Sequence, residues 1–283
     1  MNYLYVILSS LMFGIAPSIQ NLALVNNASA NDVIFYCSLF SCLVSFAYCK
    51  IQNISIKLNK KQLLSIFIAG VMGLFITDYC LDIAYTLLPV GLVTTIHFTY
   101  PCIVCITNTL LFKEKMDLSR IISIVLSAAG LILLGSSSLS SNVKGIIITM
   151  ISACAFSLFY ILNERSQASS VDDFVKTFYF GLFSTIAASL LNLTSHSQLT
   201  GNPKNIFFLF LAGVTLLLGN VFLSKGINKV GSSSASLIST LEPITSLLVS
   251  CLLYRYELSS TSIIGSILII ASLFPTIIKQ KIQ

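Results

Sequence analysis

The chain has no tryptophan, two histidines, and charged residues at only 9% of its positions. Ordinary soluble domains carry roughly 25% charged residues, so the charge deficit excludes a water-soluble fold of this length. Without tryptophan, an indole-walled cage for a cation is out of reach. His97 and His196 stand far apart in the sequence, leaving no zinc-type cluster. No Ser/His pairing in a recognisable context and no glycine-rich phosphate loop occurs, so no cofactor is expected. The basic residues are spread over six segments and form no continuous patch, which removes nucleic acid as a partner. The first apolar run lacks a basic leader and a small-residue cleavage site and is interrupted by Gly14 and Pro17; it reads as a retained span.

What is present is apolar: 55% of the 283 residues are hydrophobic. That is room for about ten helices of about twenty residues, with nothing left over for a soluble domain. The pattern predicts an all-α integral membrane protein with spans near 3–24, 33–49, 63–85, 90–112, 118–135, 143–162, 174–193, 206–223, 233–254 and 261–278. Lys and Arg set the orientation. With the N-terminus inside, thirteen of them fall on the inner side, against Lys144, Lys204 and Arg255 on the other. Both termini are therefore expected in the cytoplasm of a multi-pass cell-membrane protein, with membrane lipid as its surroundings. The richness in Ile, Ser, Asn and Lys suits an AT-rich bacterial genome. Eight cysteines fall almost entirely within spans, where they read as small packing residues. Cys102 and Cys105 have redox spacing but sit mid-helix, without the strand-to-helix context such a motif needs.

The polar stretch Gly135–Asn142, GSSSLSSN, divides the chain into halves at 1–135 and 143–283, with five spans in each. An odd number of spans per half inverts the second half relative to the first, as in many secondary transporters. Ala69-Gly70-Val71 is repeated as Ala212-Gly213-Val214. The fourth and ninth spans each carry a glycine, a mid-helix proline and a later acid: Gly91, Pro101 and Glu114, then Gly231, Pro243 and Glu257. A proline in mid-membrane removes a backbone hydrogen bond and kinks its helix. Pro101 and Pro243 should therefore bring two kinks together near the midplane, where a substrate site is expected.

Ionisable groups at bilayer depth are expensive, and each is by default a pathway hypothesis. Here they are Asp78, Asp82, His97 and Glu242. Glu242 adjoins a seam of serines on the ninth span and is a candidate proton carrier. Asp78 and Asp82 lie one helical turn apart and face the same way. His97 has the side chain best suited to proton relay near neutral pH. Tyr79, Tyr100 and Asn220 are further candidates for the pathway, and Tyr85, Tyr160 and Phe13 for the cavity wall. Each has a plain structural reading beside the functional one: an acid bonded to serines, a histidine bonded to a neighbouring helix, acids in an aqueous vestibule, aromatic side chains that only pack.

The stretches LLPVGLVTTIHFTYPCIV with LLFKEKMDLS, and INKVGSSSASLISTLEPITSLL with YRYELSS, resemble the EamA-type members of the drug/metabolite transporter superfamily. The resemblance covers essentially the whole chain, and the Glu242-Pro243 pair is its most specific point. Two departures stand out: Glu257 falls one position beyond the family's acidic position, which Tyr256 occupies, and the first-span tryptophan is missing. The resemblance implies alternating access around a central cavity lined by spans one, three, four, six, eight and nine. Acids at depth without a central Lys or Arg disfavour polyanionic cargo. The expected function is secondary transport of a small amino acid, amine or neutral metabolite, with protons as a second partner. The alternatives are an exporter of cationic compounds and, third, a membrane-embedded enzyme.

Overall fold

The computed structural model describes residues 3–135, 142–195, 199–254 and 259–280. Residues 136–141 of the linker, together with His196, Arg255, Tyr256, Glu257 and Lys281, lie outside the described residues. Among the described residues the chain is all-helical, with ten long helices: α1 Leu4–Val25, α2 Ala30–Ile51, α3 Lys60–Leu87, α4 Val90–Phe112, α5 Leu118–Gly135, α6 Val143–Arg165, α7 Asp173–Ser195, α8 Pro203–Val230, α9 Ser232–Leu253 and α10 Ser260–Gln280. Eight are long and apolar enough to cross a membrane; in α5 and α10 the apolar stretches are the shorter Leu118–Leu134 and Ser260–Pro275. With ten helices alternating in direction, the end of α10 lies on the face where α1 begins.

Several helices run past the apolar windows that the sequence marks, because polar residues continue the helix into the interface. In α8, the Asn202 side chain caps the start by accepting from Lys204 N, and Pro203 sits where a missing N–H does no harm. At its other end, Lys225 and Lys229 lie over the rings of Phe174 and Tyr5, at 5.7 and 4.6 Å. Such side chains keep a charged tip in water while their stems cover apolar surface. Reciprocal caps fix the starts of α2 (Ser29 with Asp32) and α3 (Asn59 with Gln62).

The packing pattern carries a pseudo-twofold relation between the halves. α1 packs on α8 and α9, and its counterpart α6 packs on α3 and α4; α2 packs on α8, and α7 on α3. The pairs that map onto themselves, α2 with α7 and α5 with α10, are also in close contact, as elements beside the axis must be. The repeated Ala-Gly-Val falls at equivalent crossings. A Cβ on Gly70 would lie 3.2 Å from Phe180 of α7, and one on Gly213 would lie 2.8 Å from the Cys37 carbonyl of α2. Small residues let membrane helices approach closely.

Gly130 of α5 and Gly265 of α10 meet backbone to backbone: a Cβ on either would sit 2.6 Å from the other's carbonyl oxygen. Gly130→Val is expected to destabilise the fold by about 1–3 kcal/mol through overpacking. The loss would be read as a lower thermal midpoint in detergent, with ligand affinity retained, since α5 contributes no side chain to the cavity described below.

The spans that carry Pro101 and Pro243 are broken just before the proline, whereas α1 and α10 run unbroken through Pro17 and Pro275. α4 consists of Val90–His97 and Tyr100–Phe112, and α9 breaks between Ile238 and Leu241. The two breaks are bridged: the Tyr160 hydroxyl of α6 donates to Ser239 Oγ at 2.8 Å and lies 3.5 Å from the Tyr100 hydroxyl. The Tyr100 carbonyl accepts from the Ser157 hydroxyl at 3.1 Å. A third irregularity has no proline: Ile68–Phe75 of α3 winds as a π-helix. Such wide turns are frequent at functional sites.

Candidate functional site

A cavity of about 270 Å³ occupies the centre of the bundle. Its wall comes from α1 to α4 and α6 to α9, and it extends from Glu242 at mid-depth toward the face opposite the termini, where Val33 and Tyr85 line it. Asp78, Asp82, Glu242, His97 and Asn220 all line it, with Gln20, Cys37, Ser38, Ser41, Thr77, Thr94 and Ser184 as further polar residues. Phe13, Phe98, Phe156 and Phe180 supply aromatic surface. No lysine or arginine is among the lining residues. Asp78 is within electrostatic reach of both other carboxyl groups, Asp82 and Glu242.

The polar wall is wired in a definite sense. His97 is 7% exposed, and its Nδ1 lies 2.9 Å from Ser152 Oγ. The Ser152 hydroxyl hydrogen goes to the Thr149 carbonyl at 2.7 Å, so Ser152 Oγ accepts and His97 Nδ1–H donates. That assignment leaves Nε2 of the neutral ring as an acceptor. Thr77 fastens the same region, donating to Gly73 O at 2.6 Å and lying 3.3 Å from Ser152 O. Ser152→Ala strands the buried Nδ1–H and is expected to lower stability by about 1–3 kcal/mol. A thermal melt of the detergent-solubilised variant reads this directly.

Beneath the cavity lies a closed layer. His97, Phe98, Tyr100, Phe156, Phe159 and Tyr160 pack ring against ring, with centroids 4.8–6.3 Å apart. Toward the termini face, polar contacts then join the two halves. Asn108 Nδ2 donates to Ser232 Oγ and Ser233 Oγ, both at 2.8 Å. Ser233 Oγ donates to Glu114 at 2.9 Å, and Ser232 N donates to Glu164 at 2.9 Å. Glu114 pairs with Arg120 at 2.8 Å and with Arg165, which also lies 3.2 Å from Glu164. Gly231, at φ +79°, turns the chain from α8 into α9 against Glu164; a Cβ there would lie 3.3 Å from Glu164 Oε1. A side chain at that φ would also strain the backbone.

Not every residue singled out by sequence lines the cavity. Tyr100 is fully buried in the layer beneath it, and Tyr79 is 37% exposed, stacked on Phe75 with centroids 6.2 Å apart. Pro101 and Pro243 are not among the lining residues; they act on the wall through the breaks they follow. Tyr85 and Phe13 do line it, whereas Tyr160 lies in the layer. The wall also draws on α2 and α7, beyond the six helices that the family resemblance implied. Gln20, Asn108 and Glu164 were not singled out from the sequence, and Arg165 was read there only as a span-end charge, although an amide inside an apolar span was a usable signal for Gln20 and for Asn108.

Comparison with known proteins follows the same lines. The model of the EamA-like transporter family matches residues 1–136 and again 143–278. An uncharacterized transporter of Archaeoglobus fulgidus is 19% identical over 229 residues, covering 79% of this chain and 81% of that protein. A solved crystal structure superposes with a TM-score of 0.84 at 14% identity, covering 100% of this chain and 98% of that one, a likeness of fold alone.

Proposed function

Because the chain belongs to the EamA-like transporter family, multi-pass membrane transporters rather than enzymes, we propose that it moves a small metabolite by alternating access around the central cavity. The cargo class is an amine, an amino acid or a related neutral compound, and Glu242 exchanges a proton against it. The observation that carries this reading is a central cavity with three carboxyl groups and no lysine or arginine in its wall, lined on one side by the ring layer. A charged carboxylate at bilayer depth is costly unless a cation accompanies it. Swapping a proton for a cationic group keeps the charge of the cavity constant through the cycle. On the positive-inside distribution of Lys and Arg, the termini are cytoplasmic and the cavity faces outward. Asp78 and Asp82 lie along the approach and attract the cargo, and the ring layer with the Asn108–Glu114 contacts is the closed inner gate.

Purified protein in liposomes preloaded with candidate metabolites tests the reading by counterflow. The expected result is saturable exchange of at least one small cargo recovered chemically unchanged on the other side. Chemical conversion of the cargo, or no exchange across a panel of amines, amino acids and neutral metabolites, would overturn it. The absence of basic groups from the wall also supports the second reading, export of cationic compounds; many unrelated cations exchanging equally well would favour it.

A further inference from the structure

The cavity wall is unbalanced in hydrogen bonding as well as in charge. Its donors are largely engaged with the wall itself. Asn220 Nδ2 bonds the Leu216 carbonyl at 3.1 Å, Gln20 Nε2 reaches Cys37 Sγ at 3.8 Å, the Ser38 hydroxyl bonds Ile34 O at 2.7 Å, and His97 Nδ1–H is held by Ser152. The acceptors are not engaged. Asp82 Oδ2 and Asn220 Oδ1 are buried without a hydrogen-bond partner among protein atoms. Among the described residues, no hydrogen bond or ion pair engages the Asp78 or Glu242 carboxyl groups. Once His97 Nδ1 is fixed as donor, its Nε2 joins the acceptors.

A buried acceptor without a donor, as at Asp82 Oδ2 and Asn220 Oδ1, is expensive by about 1–3 kcal/mol, and a donor-rich ligand relieves it; Asp78, exposed to the cavity, and Glu242, half-buried beside it, offer further acceptors to the same ligand. A carboxylate on the cargo would meet three acids and no lysine or arginine, which is discrimination by repulsion.

We infer that the cargo is an organic amine carrying no free carboxylate, its ammonium group seated among Asp78, Asp82 and Asn220 and its apolar body against Phe13, Phe98 and Phe156. This rests on the cavity being the cargo site and narrows the proposed class by removing amino acids. The primary ammonium supplies three N–H donors, one each for Asp78, Asp82 and Asn220, and a positive charge of the sign opposite to that of the carboxylates. Aromatic faces around it add cation–π attraction. The volume, about 270 Å³, falls just below the roughly 300–1,000 Å³ of typical small-ligand pockets, so the amine is small.

The test is a matched series with one body: 2-phenylethylamine, phenylalaninamide, phenylalanine and 2-phenylethanol. A ligand that binds only the folded protein raises its thermal midpoint by mass action. The amine and the amide are expected to stabilise the wild type, whereas phenylalanine at ten times their concentration does not; in Asp82→Asn the amine's effect is lost while the protein's own midpoint is kept. Phenylalanine stabilising as well as the amine, 2-phenylethanol doing so, or none of the four doing so in a cooperatively melting sample would each overturn the inference. Counterflow of labelled phenylalaninamide separates the two claims. Binding without exchange removes the transport reading and keeps the amine site; exchange of phenylalanine as fast as its amide removes the amine restriction and keeps transport.

Discussion

Glu242→Gln is expected to abolish pH-driven accumulation of cargo while leaving counterflow in place. For one proton exchanged against one monovalent cation, the cycle carries no net charge, so a pH gradient alone sets the limit. One pH unit corresponds to about 1.4 kcal/mol, or about a tenfold accumulation at equilibrium. Glutamine keeps the size and polarity of the side chain at the midplane position beside the α9 break but has no exchangeable proton. The accumulation ratio in proteoliposomes should fall to about one, where the wild type reaches about tenfold per pH unit. Asp82→Asn should instead weaken binding without abolishing the response to pH of whatever cargo still enters. If Glu242→Gln accumulates cargo like the wild type, another group carries the proton. Asp78, which lies within electrostatic reach, is then the next to replace.

The second large effect is expected at the opposite end of the closed layer. Glu114 receives Arg120, Arg165 and the Ser233 hydroxyl, and the last two belong to the other half of the chain. Its side chain is 19% exposed, so these contacts are only partly screened. Glu114→Gln should weaken the inner gate by about 1–2 kcal/mol, which shifts a two-state equilibrium about 5–30-fold. Two native cysteines report the shift. Cys37 borders the cavity at 3% exposure, its thiol donating to the Leu209 carbonyl at 3.6 Å, and Cys105 is fully buried below the ring layer, with Sγ 3.9 Å from the Ser233 carbonyl. With the other six cysteines replaced, Glu114→Gln should speed thiol labelling of Cys105 and slow that of Cys37 by similar factors. Reciprocity is the point: faster labelling of both would mean loosening of the fold, and no change at either would dissociate Glu114 from the gate.

Much of this arrangement was legible in the sequence because a membrane makes polarity informative. An acid at Asp78 or Glu242 stands out against an apolar run, and a proline at 101 or 243 has a fixed mechanical effect on a helix. The ten spans, the duplicated halves and both helix breaks follow from such signals. The α2 and α7 walls do not. They offer Ser38, Ser41, Ser184 and Gly181 to the cavity, and small residues of this kind are equally at home in a helix–helix seam. Tyr79 and Tyr100 show the same limit. An aromatic side chain facing outward, one packed in the closed layer and one on the cavity wall such as Tyr85 read alike along the chain, and only the rotation of each helix separates them. The inner gate was hidden for a different reason: Asn108 meets Ser232 across 124 positions, and nothing local to either announces the other.

The π-helical stretch of α3 has a consequence for how this chain tolerates changes in length. Each residue removed from a regular α-helix turns everything beyond it by about 100°. Across Ile68–Phe75, the wider turn takes up about one residue more than an α-helix would need. Deleting Met72, which is 48% exposed on the outer side, lets the stretch rewind as an ordinary helix while Asp78 and Asp82 keep their aim. Deleting Leu43 from the regular α2, at a comparable 51% exposure, turns one end of that helix against the other. α3 thus carries a spare residue: it can shorten by one while the same side chains still meet the cargo.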